Sequence, residues 1–307
     1  MSFFKYTNIS TASLVLKNKS IRWSSPSLYN DLEECQFTPF TEKELIESHK
    51  NYINTIEWYA RGLSLGYDTS KFTSITKTLI NLFRLSMNNG TYSKEKFMEY
   101  VLDANKNFEN DYTNYINTVV IKCIRILCVT KIYDNKLMWA HYADQNYGCV
   151  IEFESLYNLK PNFFKEGFVK YHENLKPKSK PLDYLLYGET KEIQDLMIQD
   201  IIFSKRTVWD YEKEYRLMFR ENFGEVNFEL NMETREQKYT ISNLPENLYT
   251  DVNFPIKSVK SIIFGARTKK EDKKKLIDII NKDSFCCKFY QMKIDNGNLI
   301  KEEIEIN

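Results

Sequence analysis

Residues 41–118 carry apolar positions every three to four residues, and this helical stretch is set between two segments that alternate in the two-residue rhythm of strands. The two periods place side chains on incompatible faces, so the chain must fold as distinct helical and strand-bearing regions. Thr41 and Glu44 form a capping box at the head of the first helix. Leu45, Tyr52, Ile56, Tyr59 and Leu63 follow as its buried seam. His49 falls on that seam and reads as a boundary residue satisfied locally rather than a ligand. Two further helices are expected over 73–87 and 93–108, separated by the turn Asn88-Asn89-Gly90.

Outside this stretch the expected elements are shorter. An aromatic strand at 3–6 precedes a helix capped by Ser10 or Thr11, a strand at Ile21-Arg22-Trp23 and a loop over 24–31. Beyond residue 118, strands are expected over 122–130, 149–153, 169–172, 215–219, 261–264, 285–294 and 299–304. Helices are expected over 137–143, 190–204 and 269–282. No regular strand–helix–strand alternation appears, so the fold class is α+β rather than a doubly wound sheet. Residues 1–40 and 119–307 form the strand-rich body, and 41–118 an inserted helical module.

Composition narrows the function classes. A net charge of +1 gives no global field toward DNA or an anionic membrane, so a nucleic-acid partner would need a local basic patch. With 9 Gly and 7 Pro, a glycine-rich nucleotide loop is disfavoured. The most apolar run, 118–130, is interrupted by Lys122 and Arg125 and is too short to span a bilayer. The first residues lack the pattern of a signal peptide. The 6 cysteines show no C-x-x-C spacing and only 3 His exist, so no metal is expected and the compartment reads as cytoplasmic. No G-x-S-x-G, P-loop or H-E-x-x-H motif is present. The five lysines of 269–275 are interrupted by Glu271 and Asp272 and read as a solvated helix face.

Polar-aromatic clusters remain. They are Lys5-Tyr6; Ser24-Ser25-Pro26 with Asn30-Asp31; Met138-Trp139 with His141-Tyr142-Ala143; Gly148 before Ile151-Glu152-Phe153; Trp209 with Tyr211-Glu212-Lys213-Glu214 and Arg216; and Ile263-Phe264-Gly265. In this order they resemble bacterial domain-of-unknown-function family 2971, across most of the chain outside the helical module. Leu32 stands where the family loop usually carries proline. The family resemblance implies no established activity.

More distantly, the order of these clusters resembles ADP-ribosyltransferases, including DarT-type enzymes. These place a basic residue on an early strand and a catalytic Glu, often in a Glu-x-Glu pair, on a late one. That resemblance implies an ADP-ribosyltransferase-like mixed sheet and NAD as co-substrate. Glu214, Glu212 and His141 are then the catalytic candidates; Lys5, Tyr6, Asn30, Tyr142 and Arg216 the candidates for holding the cofactor. The implied activity is an NAD-consuming transferase or glycohydrolase, of the kind found in toxins and phage-defence effectors, with nucleic acid or protein as acceptor. A carboxylate near the ribose would stabilise the cationic, oxocarbenium-like state.

Other readings stand beside it. Glu212, Glu214 and Arg216 alternate and can form a surface ion-pair ladder. Trp139 and Trp209 are more often core anchors than stacking platforms. A non-catalytic nucleotide-sensing or protein-binding module is one alternative. A metal nuclease using Asp31, Glu152 and Glu214 with Lys205 is the other.

Overall fold

In a computed structural model of the chain, the structure describes residues 2–29, 34–35, 40–104, 107–154, 156, 164–175, 178–221, 225–234, 237–243 and 247–304. The strands are β1 (Phe3–Thr7), β2 (Ser20–Ser24), β3 (Ile124–Thr130), β4 (Cys149–Phe153), β5 (Phe164–Phe168), β6 (Lys170–His172), β7 (Ser204–Arg206), β8 (Glu214–Arg220), β9 (Val226–Leu230), β10 (Gln237–Ile241), β11 (Tyr249–Asn253), β12 (Val259–Phe264), β13 (Lys288–Asp295) and β14 (Asn298–Glu303). The helices are α1 (Ile9–Asn18), α2 (Glu42–Ala60), α3 (Ser74–Asn88), α4 (Lys94–Ala104), α5 (Phe108–Tyr115), α6 (Ile121–Cys123), α7 (Lys136–Tyr142), α8 (Pro181–Tyr187), α9 (Lys191–Ile202) and α10 (Lys270–Lys282).

The fold is mixed α+β. Ten of the described strands join one sheet, with the path β11-β2-β3-β1-β4-β12-β13-β14 and with β8 pairing both β3 and β5. All these pairings are antiparallel except β12 with β13. β3 is a branch point. One of its edges pairs along its whole length with β8, from Ile124↔Arg220 to Thr130↔Glu214. The other edge meets β2 at Ser24↔Ile126 and β1 at Phe4↔Thr130, so the sheet forks around Leu127, Cys128 and Val129.

Alternation in β3 and β8 sorts the core by face. Leu127, Val129, Leu217 and Phe219 pack on one face with Ala12 and Leu16 of α1 and Leu276 and Ile280 of α10. The other face carries two clusters. Ile126 and Met218 pack under Ile198 and Ile201 of α9. Phe4, Tyr6 and Val150 pack under Met138 and Trp139 of α7. A separate cluster joins Tyr52, Ile56 and Phe83 of α2 and α3 to Leu185 and Leu186 of α8. No helix among the described residues is long and apolar enough to cross a membrane.

Several local expectations need correction. The α1 cap is Asn8, whose side chain accepts from Thr11 N at 2.7 Å, rather than Ser10 or Thr11. The Thr41–Glu44 capping box forms, but α2 ends at Ala60 and leaves Leu63 exposed. The helix expected over 93–108 ends at Ala104. The strand expected from residue 122 begins at Ile124, because 121–123 continue the preceding helical and π-helical turn. β5, β7, β9, β10 and β11 lie outside the expected strands; β9 does alternate, as Val226-Asn227-Phe228-Glu229-Leu230, while β7 and β11 carry too few apolar residues to show a period of two. Two glycines of the recurring motifs have a steric reason. A Cβ on Gly148 would lie 2.3 Å from Thr7 O, and one on Gly265 2.2 Å from Asn146 O.

Candidate functional site

The fork in the sheet opens a cleft of about 210 Å³. Lys5 enters from β1, Arg22 and Ser24 from β2, and Glu212 and Glu214 from the β8 side of β3. Phe4, Tyr6, Met138 and Tyr142 supply its apolar and aromatic lining. Lys5 spans the fork, its Nζ donating to Cys128 O at 2.9 Å. Arg22 is held outward by a bidentate pair with Asp251, 3.0 Å from each nitrogen, over the Tyr249 ring.

The carboxylates sit in a buried charge cluster. Glu214 and Arg216 are two residues apart on β8 and share a face, as alternation requires. Arg216 Nε donates to Glu214 Oε1 at 2.8 Å and its terminal nitrogen to Oε2 at 2.9 Å. Arg216 also donates to Ile202 O and Glu34, and Lys205 lies 2.8 Å from Glu212, 3.3 Å from Glu34 and 3.6 Å from Glu214. Glu214 is 6% exposed and Arg216 0%, so the surface ladder is excluded: the pair belongs to the interior. Glu212 is not on the strand with them; it closes a 3-10 turn over Thr207–Glu212, and Lys213 follows in the left-handed region at φ 44. That turn aims Glu212 back beside Glu214 instead of along β8.

Burial and pairing set the ionisation. Burial pushes the Glu214 carboxyl up, but the Arg216 charge and hydrogen bonds, aided by Lys205, outweigh it and hold Glu214 below the usual carboxylate value. Burial dominates at Glu34, whose carboxyl is raised despite Arg216. At Lys205 burial favours the neutral amine, but Glu214, Glu34 and Glu212 together raise it further. Glu214 is therefore a fixed anion, suited to electrostatic stabilisation and not to proton transfer. Glu212 accepts from the Tyr142 hydroxyl at 2.5 Å and from Lys205 with its other oxygen. Burial and the neighbouring Glu212 raise the Tyr142 hydroxyl, which stays protonated as a donor.

The supports follow from local sequence. Asn135 caps α7, accepting from Leu137 N and Met138 N, and its amide donates to Tyr211 O at 2.6 Å. One side chain thus ties α7 to the 207–212 turn and places Tyr142 over Glu212. Trp139 is fully buried, with Nε1 donating to Tyr133 O at 2.7 Å, so it anchors the helix in the core.

Of the expected site residues, Lys5, Tyr6, Tyr142, Glu212 and Glu214 line the cleft, and Arg216 stands behind Glu214. His141 is exposed and does not line the cleft; its ring lies 6.0 Å from that of Tyr211. Asn30 and Asp31 lie outside the described residues. Glu34, Tyr29 and Tyr171 were missed. Tyr171 donates from its hydroxyl to Glu214 N at 2.9 Å, and no local pattern announces a contact made 43 residues away.

Of the residues weighed for a nuclease, Glu152 and Glu214 do not meet. The registers Glu214↔Thr130, Thr130↔Phe4 and Phe4↔Glu152 put Glu152 three strands from Glu214, roughly 14 Å at the usual strand spacing. Glu152 instead accepts from Ser2 and Ser261. No group of three or more His, Cys, Asp or Glu suited to a metal ion occurs among the described residues.

The profile of a family described as a protein of unknown function (DUF2971) matches residues 138–217. That stretch runs from α7 through β8 and contains Trp139, Tyr142, Lys205, Glu212, Glu214 and Arg216. No curated protein and no solved structure matches the chain.

Proposed function

We propose that the cleft binds the nicotinamide-ribose end of NAD and cleaves its glycosidic bond, with nicotinamide leaving and the ADP-ribosyl group passing to water or to another acceptor. The observation that carries this reading is the polarity of the cleft: two carboxylates from the β8 side of β3 face an ammonium from β1. A ligand that is cationic at its ribosyl-pyridinium end and anionic at its diphosphate fits that division. Glu34, Glu212 and Glu214 stand against Lys205 and Arg216, so the carboxylate wall carries one negative charge in excess when Glu34 is ionised and none when it is protonated. At about 210 Å³ the cleft is below the roughly 300–1,000 Å³ of a typical small-molecule site, so it would take one end of the dinucleotide.

Glu212 and Glu214 divide the work. Both Glu214 oxygens are engaged by Arg216, which makes Glu214 the fixed field. Glu212 can exchange its Tyr142 partner for a ribose hydroxyl. The test is nicotinamide release from NAD by the purified protein, run beside transfer of label from NAD into a cell lysate. Absence of both release and saturable NAD binding would overturn the reading.

A second reading has its own support. The complete engagement of Glu214 by Arg216 also suits a nucleotide-sensing module, which would bind NAD saturably and release no nicotinamide.

A further inference from the structure

A second cavity, of about 220 Å³, opens at the opposite end of the β3–β8 pair. The cleft gathers where Thr130 faces Glu214 and this cavity where Ile124 faces Arg220, about 20 Å away along the strands. Its floor is apolar and deeply buried: Val120, Ile124, Met197 and Ile198 are between 2% and 8% exposed. Met197 and Ile198 stand three and four residues beyond Gln194 on α9, so all three share one helix face. Val120 closes a π-helical turn, Ile116–Val120, in which Ile121 N donates back to Ile116 O. Such turns are rare and concentrate at functional sites.

The rim carries opposite charges that do not pair with each other. Arg220 ends β8, is exposed, and its guanidinium has no ion pair or hydrogen bond among the described residues. Glu189, in the link from α8 to α9, faces the same space. Its Oε2 accepts from the Tyr115 hydroxyl at 3.1 Å and from the Gln194 amide at 3.4 Å, while Oε1 has no partner among the described residues. Burial, with Glu189 beside it, pushes the Tyr115 hydroxyl up to about 12, so it stays a donor and steadies the carboxylate.

We infer that this cavity binds a free α-amino acid with an apolar side chain. The carboxylate meets Arg220, the ammonium meets Glu189 Oε1, and the side chain lies on the Val120–Ile124–Met197–Ile198 floor. A plain carboxylate would bring its charge up against Glu189, and a plain amine would bring its own up against Arg220, so only a zwitterion satisfies both. A polar side chain would surrender its hydrogen bonds with water to an apolar floor. The volume is below the roughly 300–1,000 Å³ of a typical small-molecule site, which suits a molecule of amino-acid size and not a nucleotide or a peptide. The site shares no lining residue with the cleft and does not depend on the NAD reading.

The experiment is titration calorimetry of the purified protein with L-leucine, L-methionine and L-phenylalanine. Isoamylamine, which lacks the carboxylate of leucine, 4-methylpentanoate, which lacks its ammonium, and L-alanine, which lacks its apolar side chain, are run beside them. At least one of the three apolar amino acids should bind, and for leucine each truncated analogue should be weaker by about tenfold or more. Arg220→Gln should leave leucine no better than isoamylamine, and Glu189→Gln should leave it no better than 4-methylpentanoate. Both residues are exposed, so the variants keep the fold, and an unchanged melting temperature without ligand verifies it. Saturable binding by none of the three, 4-methylpentanoate binding as tightly as leucine, or leucine affinity unchanged in both variants would overturn the inference.

Discussion

Arg216 grips both carboxylate oxygens of Glu214, its neighbour two residues back on β8, at 2.8 and 2.9 Å, and neither side chain is more than 7% exposed. A bidentate pair so placed is costly to break from one side, because the survivor is left charged in the interior. Glu214→Gln should therefore destabilise the protein by about 3–5 kcal/mol. Glu214→Leu combined with Arg216→Met should cost less than either single change. Urea denaturation checks both, and a loss below about 1 kcal/mol in Glu214→Gln would show that the pair is hydrated.

The same cluster sets a pH dependence with two signs. Glu214 is held below the ordinary value of 4.5, so its contribution is present above 4.5 and lost as pH falls through its folded value. Glu34 is raised above 4.5, so its folded form favours the proton and stability falls as pH climbs from 4.5. Thermal unfolding across pH should show Glu34→Gln flattening the limb above 4.5 and Glu214→Gln the limb below it. Unaltered limbs in both variants would refute the assignment.

Glu212 touches Tyr142 and Lys205 but not Arg216, so it can be changed with less damage to the fold. Glu212→Gln should lower nicotinamide release about a hundredfold or more, with a smaller loss of stability than Glu214→Gln because Lys205 keeps Glu34 and Glu214 as partners. Tyr142→Phe frees Glu212 of one partner and should change KM more than stability. Wild-type turnover in a folded Glu212→Gln protein would count decisively against catalysis by this carboxylate.

Lys5 bonds a carbonyl in the open part of the fork, where a diphosphate could replace that partner. Lys5→Met should cost about 1 kcal/mol of stability and weaken NAD binding about tenfold. Titration calorimetry reads the affinity. A variant that binds NAD as tightly as the parent would remove Lys5 from the site.

Trp139 fills the space under α7 and donates to Tyr133 O. Trp139→Ala should cost about 3–5 kcal/mol, and α7 should carry Tyr142 away from Glu212. Loss of stability without any change in Tyr142-dependent binding would detach the helix from the site.

Local order fixed much of this protein. The helical periods of 42–60 and 74–88, the Thr41–Glu44 capping box, the alternation of 149–153 and 261–264, and the Glu214–Arg216 spacing all act over a few residues, and they formed as their patterns required. So did the mixed α+β class, because the two periods cannot share an element. Burial was not local. Nothing in Glu-x-Arg distinguishes an exposed ladder from an interior pair; Glu214 became internal because β8 lies between β3 and β5 under α9. Glu34 and Lys205 reached it from 180 and 9 residues away in sequence, differences of 214 − 34 and 214 − 205. The fork is likewise tertiary. It exists because β1 and β2 each touch β3 through one residue pair, and register is decided by the packing of whole faces, not by any strand alone.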